Sequence, residues 1–278
     1  MRNITEQHIE DFRLYLINEE KSGATIEKYM RDVHSFSEWL GYREFDKMDV
    51  LAYKTELTKK YAPASVNTVL SSLNSFFTYQ EWYELKTKML KIQRQIFASD
   101  EKELTKAEYE RLLLTARKKS ERLYLLMQTI CSTGIRISEV SYVTVEAVNK
   151  GRADLNCKGK HRTVFFPKQL CQMLKQYIRV QEIKSGAVFI TKSGAPLDRS
   201  NIWTSMKKLC AEANVSEQKV FPHNLRHLFA RTYYTQQKDI VRLADILGHS
   251  SVNTTRIYTM ESGNIHRKQI QKLGLLRC

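Results

Sequence analysis

Apolar residues recur every three to four positions through the first hundred residues, which is the spacing of amphipathic helices. In one stretch the apolar positions are Ile26, Tyr29, Val33, Phe36 and Leu40, and Gly41 follows as a helix end. The same spacing predicts four helices of a length that forms a small bundle. The predicted helices span residues 5–20, 25–40, 47–60 and 63–84.

The rest of the chain combines helical stretches with a short β-like stretch. Thr105 followed by Glu108 is the capping-box pattern that begins a helix. The segments TVEAVN and GRADLNCKGKHRTVFFP, with turn residues at Gly151 and Gly159, predict a short antiparallel β-sheet or hairpin. Helices are predicted near 105–117, 120–132, 136–141, 167–182, 198–213, 223–236 and 239–247. The predicted fold class is therefore mainly α with a small antiparallel β-sheet.

A change of composition between residues 86 and 103 indicates a domain boundary. This stretch carries Lys86, Lys88, Lys91 and Arg94, and the sequence Ser-Asp-Glu follows at 99–101. It is interpreted as an exposed basic linker. The predicted organisation is a helical domain at 1–95, a linker at 96–103 and a second domain at 104–278.

Several broad classes of protein are disfavoured by composition. The 278 residues contain no run of 18 apolar positions, so no membrane span is predicted. The first residues lack the apolar stretch of a signal peptide. The five cysteines are an odd number without a CxxC pair, which favours reduced thiols in a cytoplasmic protein over a disulfide framework or a thiolate zinc site.

The net positive charge belongs to the second part of the chain. The formal net charge is +15, yet residues 1–98 contain equal numbers of basic and acidic side chains. A basic surface favours polyanions through counterion release. Charge alone does not separate DNA from RNA or from an anionic membrane surface.

Candidate chemistry is concentrated near the C-terminal end. A phenol, two imidazoles and an arginine fall within one stretch, and a second arginine and a lysine precede them. Such a set is what metal-free attack on a phosphodiester needs, because a phenol with a pKa of about 10 requires a base or a cationic site to become a nucleophile. The residues are Arg136, Lys158, His223, Arg226, His249 and Tyr258.

Taken singly, each of these residues is also compatible with a common structural role. Arg136 alone is a surface arginine beside a turn, and His249 alone is a histidine at a helix end. His223 and His227 form an H-x-x-x-H pair, but Asn224 stands where a zinc protease needs glutamate. The chain has neither G-x-x-x-x-G-K-[ST] nor G-x-G-x-x-G, so nucleotide binding has no support.

In combination, however, the motifs resemble those of the tyrosine recombinases, the lambda-integrase and Xer family. The strings are TGIRISEV at 133–140, the CKGK hairpin, HNLRH at 223–227 and LGHSSVNTTRIY at 247–258. The N-terminal TIEKY, FSEWL and SVNTVLSSLNSFFTY resemble the helical core-binding domain of that family, so the similarity runs from end to end. The resemblance implies an N-terminal core-binding bundle and a C-terminal catalytic domain, which together form a C-shaped clamp on DNA.

The resemblance also implies a role for each motif residue. Tyr258 would attack the scissile phosphate, forming a 3′-phosphotyrosyl bond and freeing a 5′-hydroxyl. Arg136 and Arg226 would clamp the non-bridging oxygens, and His249 would donate to them as well.

The remaining motif residues would handle protons or support the clamp. Lys158 would protonate the leaving 5′-oxygen, and His223 would accept the proton of the tyrosine. Glu139 would support the arginine. Neither a cofactor nor a metal is implied.

Partners and biological role follow from the same resemblance. The expected partner is duplex DNA with inverted-repeat core sites, on which four protomers exchange strands through a Holliday junction. A bacterial or phage-type nucleoid protein is expected, with a tail after Tyr258 that packs onto a neighbouring protomer. The favoured role is integrase or transposase of a mobile element. Alternatives are Xer-like resolution of chromosome or plasmid dimers with a homotetramer or heterotetramer, a type IB topoisomerase-like enzyme, and a DNA-binding module without activity.

Overall fold

A computed structural model gives two compact units, residues Met1–Arg94 and Gln95–Cys278. The structure describes residues 2–92, 102–157, 160–191, 193–258 and 271–272, with the backbone alone at 157 and 160. Within these residues no helix is long and apolar enough to cross a membrane.

The first unit is a helical bundle around an aromatic core, as the spacing of apolar residues predicts. The rings of Phe12 and Phe76 meet edge to face at 5.3 Å, and those of Phe36 and Phe45 do so at 5.4 Å. Side-chain caps at Thr5 and Asp46 begin two of the helices. The helices are α1 (Glu6–Asn18), α2 (Gly23–Leu40), α3 (Lys47–Lys60) and α4 (Pro63–Tyr79), followed by a 3₁₀ turn at Tyr83–Leu85.

The segment from residue 86 to 90 lies against this bundle, which corrects its interpretation as an exposed linker. On α4, Asn67 exchanges two hydrogen bonds with the backbone of Leu90, and Asn74 does the same with Thr87. Thr87 is buried, whereas the lysines at 86, 88 and 91 are exposed. The basic side chains are therefore presented on a fixed segment of the first unit. The predicted linker at 96–103 lies mostly outside the described residues.

The described part of the second unit consists of helices and one antiparallel hairpin, which confirms the mainly α fold class. Its helices are α5 (Lys106–Lys119), α6 (Glu121–Thr133), α7 (Val145–Lys150), α8 (Lys168–Val180), α9 (Arg199–Lys207), α10 (Cys210–Ala213), α11 (Pro222–Gln237), α12 (Ile240–Leu247) and α13 (Val252–Thr255). The antiparallel strands are β1 (Arg152–Cys157) and β2 (Lys160–Phe165).

Three local predictions in this unit are wrong. Residues 144–149 were expected as a strand but form α7, because Thr144 caps the amide of Ala147 and Gly151 ends the helix in a left-handed conformation. Residues 136–141 form a 3₁₀ helix at Ile137–Tyr142 instead of an α-helix. The single helix expected at 198–213 is divided into α9 and α10.

Candidate active site

Helix α11 carries the centre of the site. It begins at Pro222, a residue suited to the first helical turn, and the burial of Leu225, Leu228 and Ala230 fixes which side of the helix faces the core. Arg226 shares the inner face and is 1% exposed. The helix therefore holds a guanidinium inside the second unit.

Arg226 is held by two backbone carbonyls and a histidine. Its Nη1 donates to the carbonyl of Gly134 at 2.5 Å, and its Nη2 donates to the carbonyl of Leu247 at 2.7 Å. The same Nη2 lies 3.0 Å from Nε2 of His249. Burial, and then the charge of Arg136, lowers the pKa of Arg226 to about 10, so it stays cationic at neutral pH.

The C-terminal turn of α12 gathers three arginines. The consecutive carbonyls of Ile246, Leu247 and Gly248 accept hydrogen bonds from Arg162, Arg226 and Arg136 respectively. The carbonyl end of a helix carries partial negative charge, which offsets the mutual repulsion of these cations. This turn thus stabilises three guanidinium groups close together in a partly buried site.

The Arg136 guanidinium is oriented by a buried carboxylate. Its Nη1 donates to Oε1 of Glu139 at 2.9 Å, and its backbone amide donates to Oε2 of Glu139 at 2.8 Å. Burial opposes ionisation of Glu139, but the hydrogen bonds and the charges of Arg136 and Arg162 outweigh it and lower the pKa of this carboxyl. The carboxylate is therefore charged and fixes the Arg136 fork.

The tautomer of His249 follows from its neighbours. Arginine can only donate, so Nε2 of His249 accepts from Arg226 and the ring proton sits on Nδ1. Nδ1 then donates to the hydroxyl of Thr255 at 2.8 Å. Burial, and then the charges of Arg226 and Arg136, lowers the pKa of His249 to about 4, which agrees with a neutral ring.

Tyr258 lies among these groups and is 3% exposed. Its ring meets that of His227 edge to face at 4.7 Å and stacks on that of His249 at 6.0 Å. Tyr258 also lies near enough to Arg226 to oppose the lowering of its pKa. The short α13 and the 3₁₀ turn at Arg256–Tyr258 that carry it follow α12 directly, which brings the phenol back over α11.

His223 lies at the rim of the site, and His227 lies between it and the phenol. The rings of His223 and His227 are 4.4 Å apart. Partial burial, and then the charges of Arg226 and Arg136, lowers the pKa of His223. Burial, and then His223, lowers the pKa of His227 to about 4, and its Nε2 is buried without a hydrogen-bond partner among the described residues.

A cavity of about 310 Å³ opens beside these residues. Arg136, His223 and Arg226 line it together with Arg199 and Trp203 of α9. Trp203 is half-exposed, and the ammonium of Lys207 lies 5.1 Å from its ring centroid. The cavity therefore has a cationic and aromatic lining.

Five of the six predicted site residues come together in this way: Arg136, His223, Arg226, His249 and Tyr258. Lys158 lies outside the described residues. Four further residues, Arg162, His227, Arg199 and Trp203, were missed as parts of the site. Their signal in the sequence was weak. His227 closes the HNLRH motif but was weighed only as a zinc ligand, and Arg162 follows the CKGK hairpin without a role of its own. Arg199 and Trp203 stand outside any motif.

Gly134 is a sensitive point of this arrangement, because its carbonyl holds Arg226. Its φ is +65°, and a Cβ atom there would lie 2.5 Å from Cδ1 of Phe229 and 3.0 Å from Cδ2 of Leu247. Gly134→Ala is expected to lower the free energy of unfolding by about 2–4 kcal/mol, since left-handed strain and overpacking add. Chemical denaturation measures this. Gly151→Ala is the control, having a φ of +72° and open space around the new methyl group, and it should cost about 1 kcal/mol from strain alone. Equal losses in both variants would contradict the packing account.

Comparison with known proteins gives the family. The model of the Phage integrase family matches residues 102–264, and that of the Phage integrase, N-terminal SAM-like domain matches residues 9–84. The chain belongs to the phage integrase family. It is thus a tyrosine recombinase, an enzyme that breaks and rejoins DNA strands, as the motifs predicted.

The similarity to known tyrosine recombinases covers almost the whole of this chain. Tyrosine recombinase XerA of Thermococcus kodakarensis is 30% identical over 278 residues, which cover 96% of this chain and 95% of the relative. XerA of Pyrococcus furiosus is 28% identical over 285 residues, which cover 99% and 96%. The fold is that of the protein chain in the crystal structure of a lambda integrase(75-356) dimer bound to a COC′ core site. The TM-score is 0.76 and the sequence identity is 16%, over 93% of this chain and 96% of that one.

Proposed function

We propose that this recombinase acts through Tyr258, whose hydroxyl oxygen attacks the scissile phosphorus of duplex DNA. The P–O5′ bond breaks as the tyrosyl O–P bond forms, so a 3′-phosphotyrosyl bond and a 5′-hydroxyl result. The observation that carries the proposal is the buried phenol of Tyr258, whose ring contacts the imidazoles of His227 and His249. Because the new phosphodiester keeps the energy of the broken one, the reverse attack by a 5′-hydroxyl completes the exchange.

Arg136 and Arg226 are the proposed phosphate clamp. Both line the cavity beside His223, and planar guanidinium forks match the oxygens of a phosphate. Donors fixed before the reaction stabilise the charge that develops on those oxygens without reorganising.

His249 has to change its hydrogen bond to join this clamp. In the free protein its Nε2 accepts from Arg226, so donation to phosphate requires a proton on Nε2. A phosphate anion in the cavity favours the charged ring and opposes the arginine charges that lower the His249 pKa.

The proton of Tyr258 has two candidate acceptors. The sequence motif assigns this role to His223, while the ring contact at 4.7 Å favours His227. His223→Gln and His227→Gln separate them, because the loss of a positioned base costs about 10²–10⁴-fold in rate. The rate of adduct formation on nicked DNA at saturating protein is the measurement. The acceptor is the histidine whose replacement lowers that rate and removes its pH dependence, and an unchanged rate in both variants would contradict proton transfer to either histidine.

Lys158 is the proposed general acid for the 5′-oxygen. A thiolate leaves without a proton, so DNA with sulfur at the 5′-bridging position should restore cleavage by Lys158→Ala to within about tenfold of the wild type. Gel analysis of adduct formation on oxygen and sulfur substrates measures this. Lys160→Ala is the matched control, and restoration of that variant instead would assign the acid two residues later.

DNA is the proposed partner of the basic second unit. Arg199, Trp203 and Lys207 follow one another at four-residue spacing and so share a face of α9, next to the cavity. Cationic and aromatic side chains suit a phosphate backbone and its bases. Inverted-repeat sites, a tetramer and a Holliday junction complete the proposal.

The biological role has two candidates. The sequence favoured integrase or transposase of a mobile element, but full-length similarity to two XerA proteins favours Xer-like dimer resolution. The fold that the chain shares with lambda integrase is compatible with integration, so the mobile-element role stays a candidate. The test begins by selecting the bound duplex from a random-sequence library and locating it in the source genome. A single chromosomal copy supports dimer resolution, whereas copies at the ends of an element that includes the gene support integration.

A type IB topoisomerase-like activity is the remaining alternative. A supercoiled plasmid carrying two direct repeats of the selected duplex distinguishes it. Recombination yields two smaller circles, whereas a topoisomerase yields only relaxed plasmid.

A further inference from the structure

Arg162 shares the carboxylate that orients Arg136. Its Nη2 donates to Oε2 of Glu139 at 2.5 Å, while Oε1 of the same carboxylate holds Nη1 of Arg136 at 2.9 Å. The side chains of Glu139 and Arg162 are 4% and 11% exposed. A carboxylate so buried is held in place by the second guanidinium as much as by the first.

The other arm of Arg162 fixes the turn after α12. Its Nη1 donates to the carbonyl of Ile246, the last but one residue of the helix. Its aliphatic stem covers Gly248, where a Cβ atom would overlap Cδ of Arg162. Gly248 in turn supplies the carbonyl that accepts from Nη2 of Arg136 at 3.0 Å.

Both acceptors of the Arg136 guanidinium are therefore in contact with one side chain. Glu139 fixes Nη1 and Gly248 fixes Nη2, and Arg162 touches each of them. The two acceptors come from distant parts of the chain, and Arg162 reaches them from β2 of the hairpin. Loss of Arg162 would leave the Arg136 fork free to tilt although Arg136 itself is intact.

We infer that Arg162 is a positioning residue that sets the orientation of Arg136 toward the scissile phosphate. The inference rests on the proposed role of Arg136 as part of the phosphate clamp. A planar fork is needed because two acceptors in different directions must be bound at once, which a lysine ammonium on a flexible stem does less well. The rate of adduct formation by Arg162→Lys should thus lie between the rates of Arg162→Gln and the wild type.

The test compares two substrates that differ in one non-bridging group on the scissile phosphorus. Each is the selected duplex, nicked to trap the adduct, with either a normal scissile phosphodiester or a methylphosphonate, in which a methyl group replaces one charged oxygen. Arg162→Gln should slow adduct formation about 10–100-fold on the phosphodiester at saturating DNA, the range in which supporting partners of a site commonly act. On the methylphosphonate the loss should be at least ~5-fold smaller, because less charge needs the clamp.

Arg152→Gln is the matched control, since Arg152 is an exposed arginine on β1 of the same hairpin. It should leave the rate on both substrates unchanged. A melting temperature and an affinity for the selected duplex are measured for every variant. If Arg162→Gln does not fold, Arg162→Lys is measured on the same two substrates and the same contrast decides.

Two results would overturn the inference. One is a rate for Arg162→Gln equal to that of Arg152→Gln, and the other is an equal loss on both substrates, which is the result of a merely structural role. Arg136→Lys measured in parallel separates the two proposals. If Arg136→Lys cleaves normally the proposed clamp fails, whereas impaired Arg136→Lys with normal Arg162→Gln removes only the inference about Arg162.

Discussion

Tyr258→Phe is expected to bind DNA like the wild type and to form no covalent adduct with it. Removing the hydroxyl removes the attacking atom, and the loss of a nucleophile lowers the rate of the chemical step by at least ~10⁴-fold. The phenyl ring still fits between His227 and His249, so the surrounding site should persist. The measurement is trapping on the nicked selected duplex, followed by denaturing gel electrophoresis.

Tyr233→Phe is a suitable control because Tyr233 is a partly buried tyrosine on α11 whose ring contacts Phe229. This variant should form adduct at the wild-type rate. Adduct formation by Tyr258→Phe at more than a trace would contradict the assignment of the nucleophile.

Arg136→Lys and Arg226→Lys are each expected to slow cleavage at least ~100-fold, the cost of losing one transition-state donor. Lysine keeps the charge but cannot reproduce the fork. Arg136→Lys is the cleaner test, since the Arg136 side chain is partly exposed. Arg226→Lys also loses buried contacts to the carbonyls of Gly134 and Leu247, so its melting temperature should fall as well.

Arg179→Lys, on the exposed face of α8, controls for the substitution itself. The rate of adduct formation at saturating DNA should be normal for this control. Near-normal rates for both Arg136→Lys and Arg226→Lys would mean that these arginines support the fold and do not stabilise the reaction.

Much of the fold could be predicted because apolar stripes and caps act locally. The stripe from Ile26 to Leu40 becomes α2, and the capping box at Thr105 and Glu108 begins α5. Residues 144–149 were predicted wrongly because their valines favour strands, whereas a cap at Thr144 and a left-handed Gly151 decide for a helix. Residues 86–90 were taken as linker because nothing local shows that Asn67 and Asn74 bind their backbone.

The same distinction between local and long-range interactions separates the site residues that could be predicted from those that could not. Arg226, His249 and Tyr258 stand in motifs whose residue types and order already indicate the chemistry. Arg162 does not, because its acceptors Glu139 and Ile246 are 23 and 84 residues away along the chain and meet it only after folding. Three carbonyls that each receive an arginine are likewise a property of the folded turn at 246–248 and of no sequence pattern.

The chemistry of Tyr258 can be measured directly on the adduct itself. Wild-type protein is trapped on the nicked selected duplex, the DNA is digested to a short remnant, and the protein is cut with trypsin for mass spectrometry. Cleavage after Arg256 and Arg267 gives the peptide of residues 257–267, in which Tyr258 is the sole tyrosine. The account predicts a nucleotide joined through its 3′-phosphate to Tyr258 in this peptide. A nucleotide on another residue, or one joined through a 5′-phosphate, would contradict it.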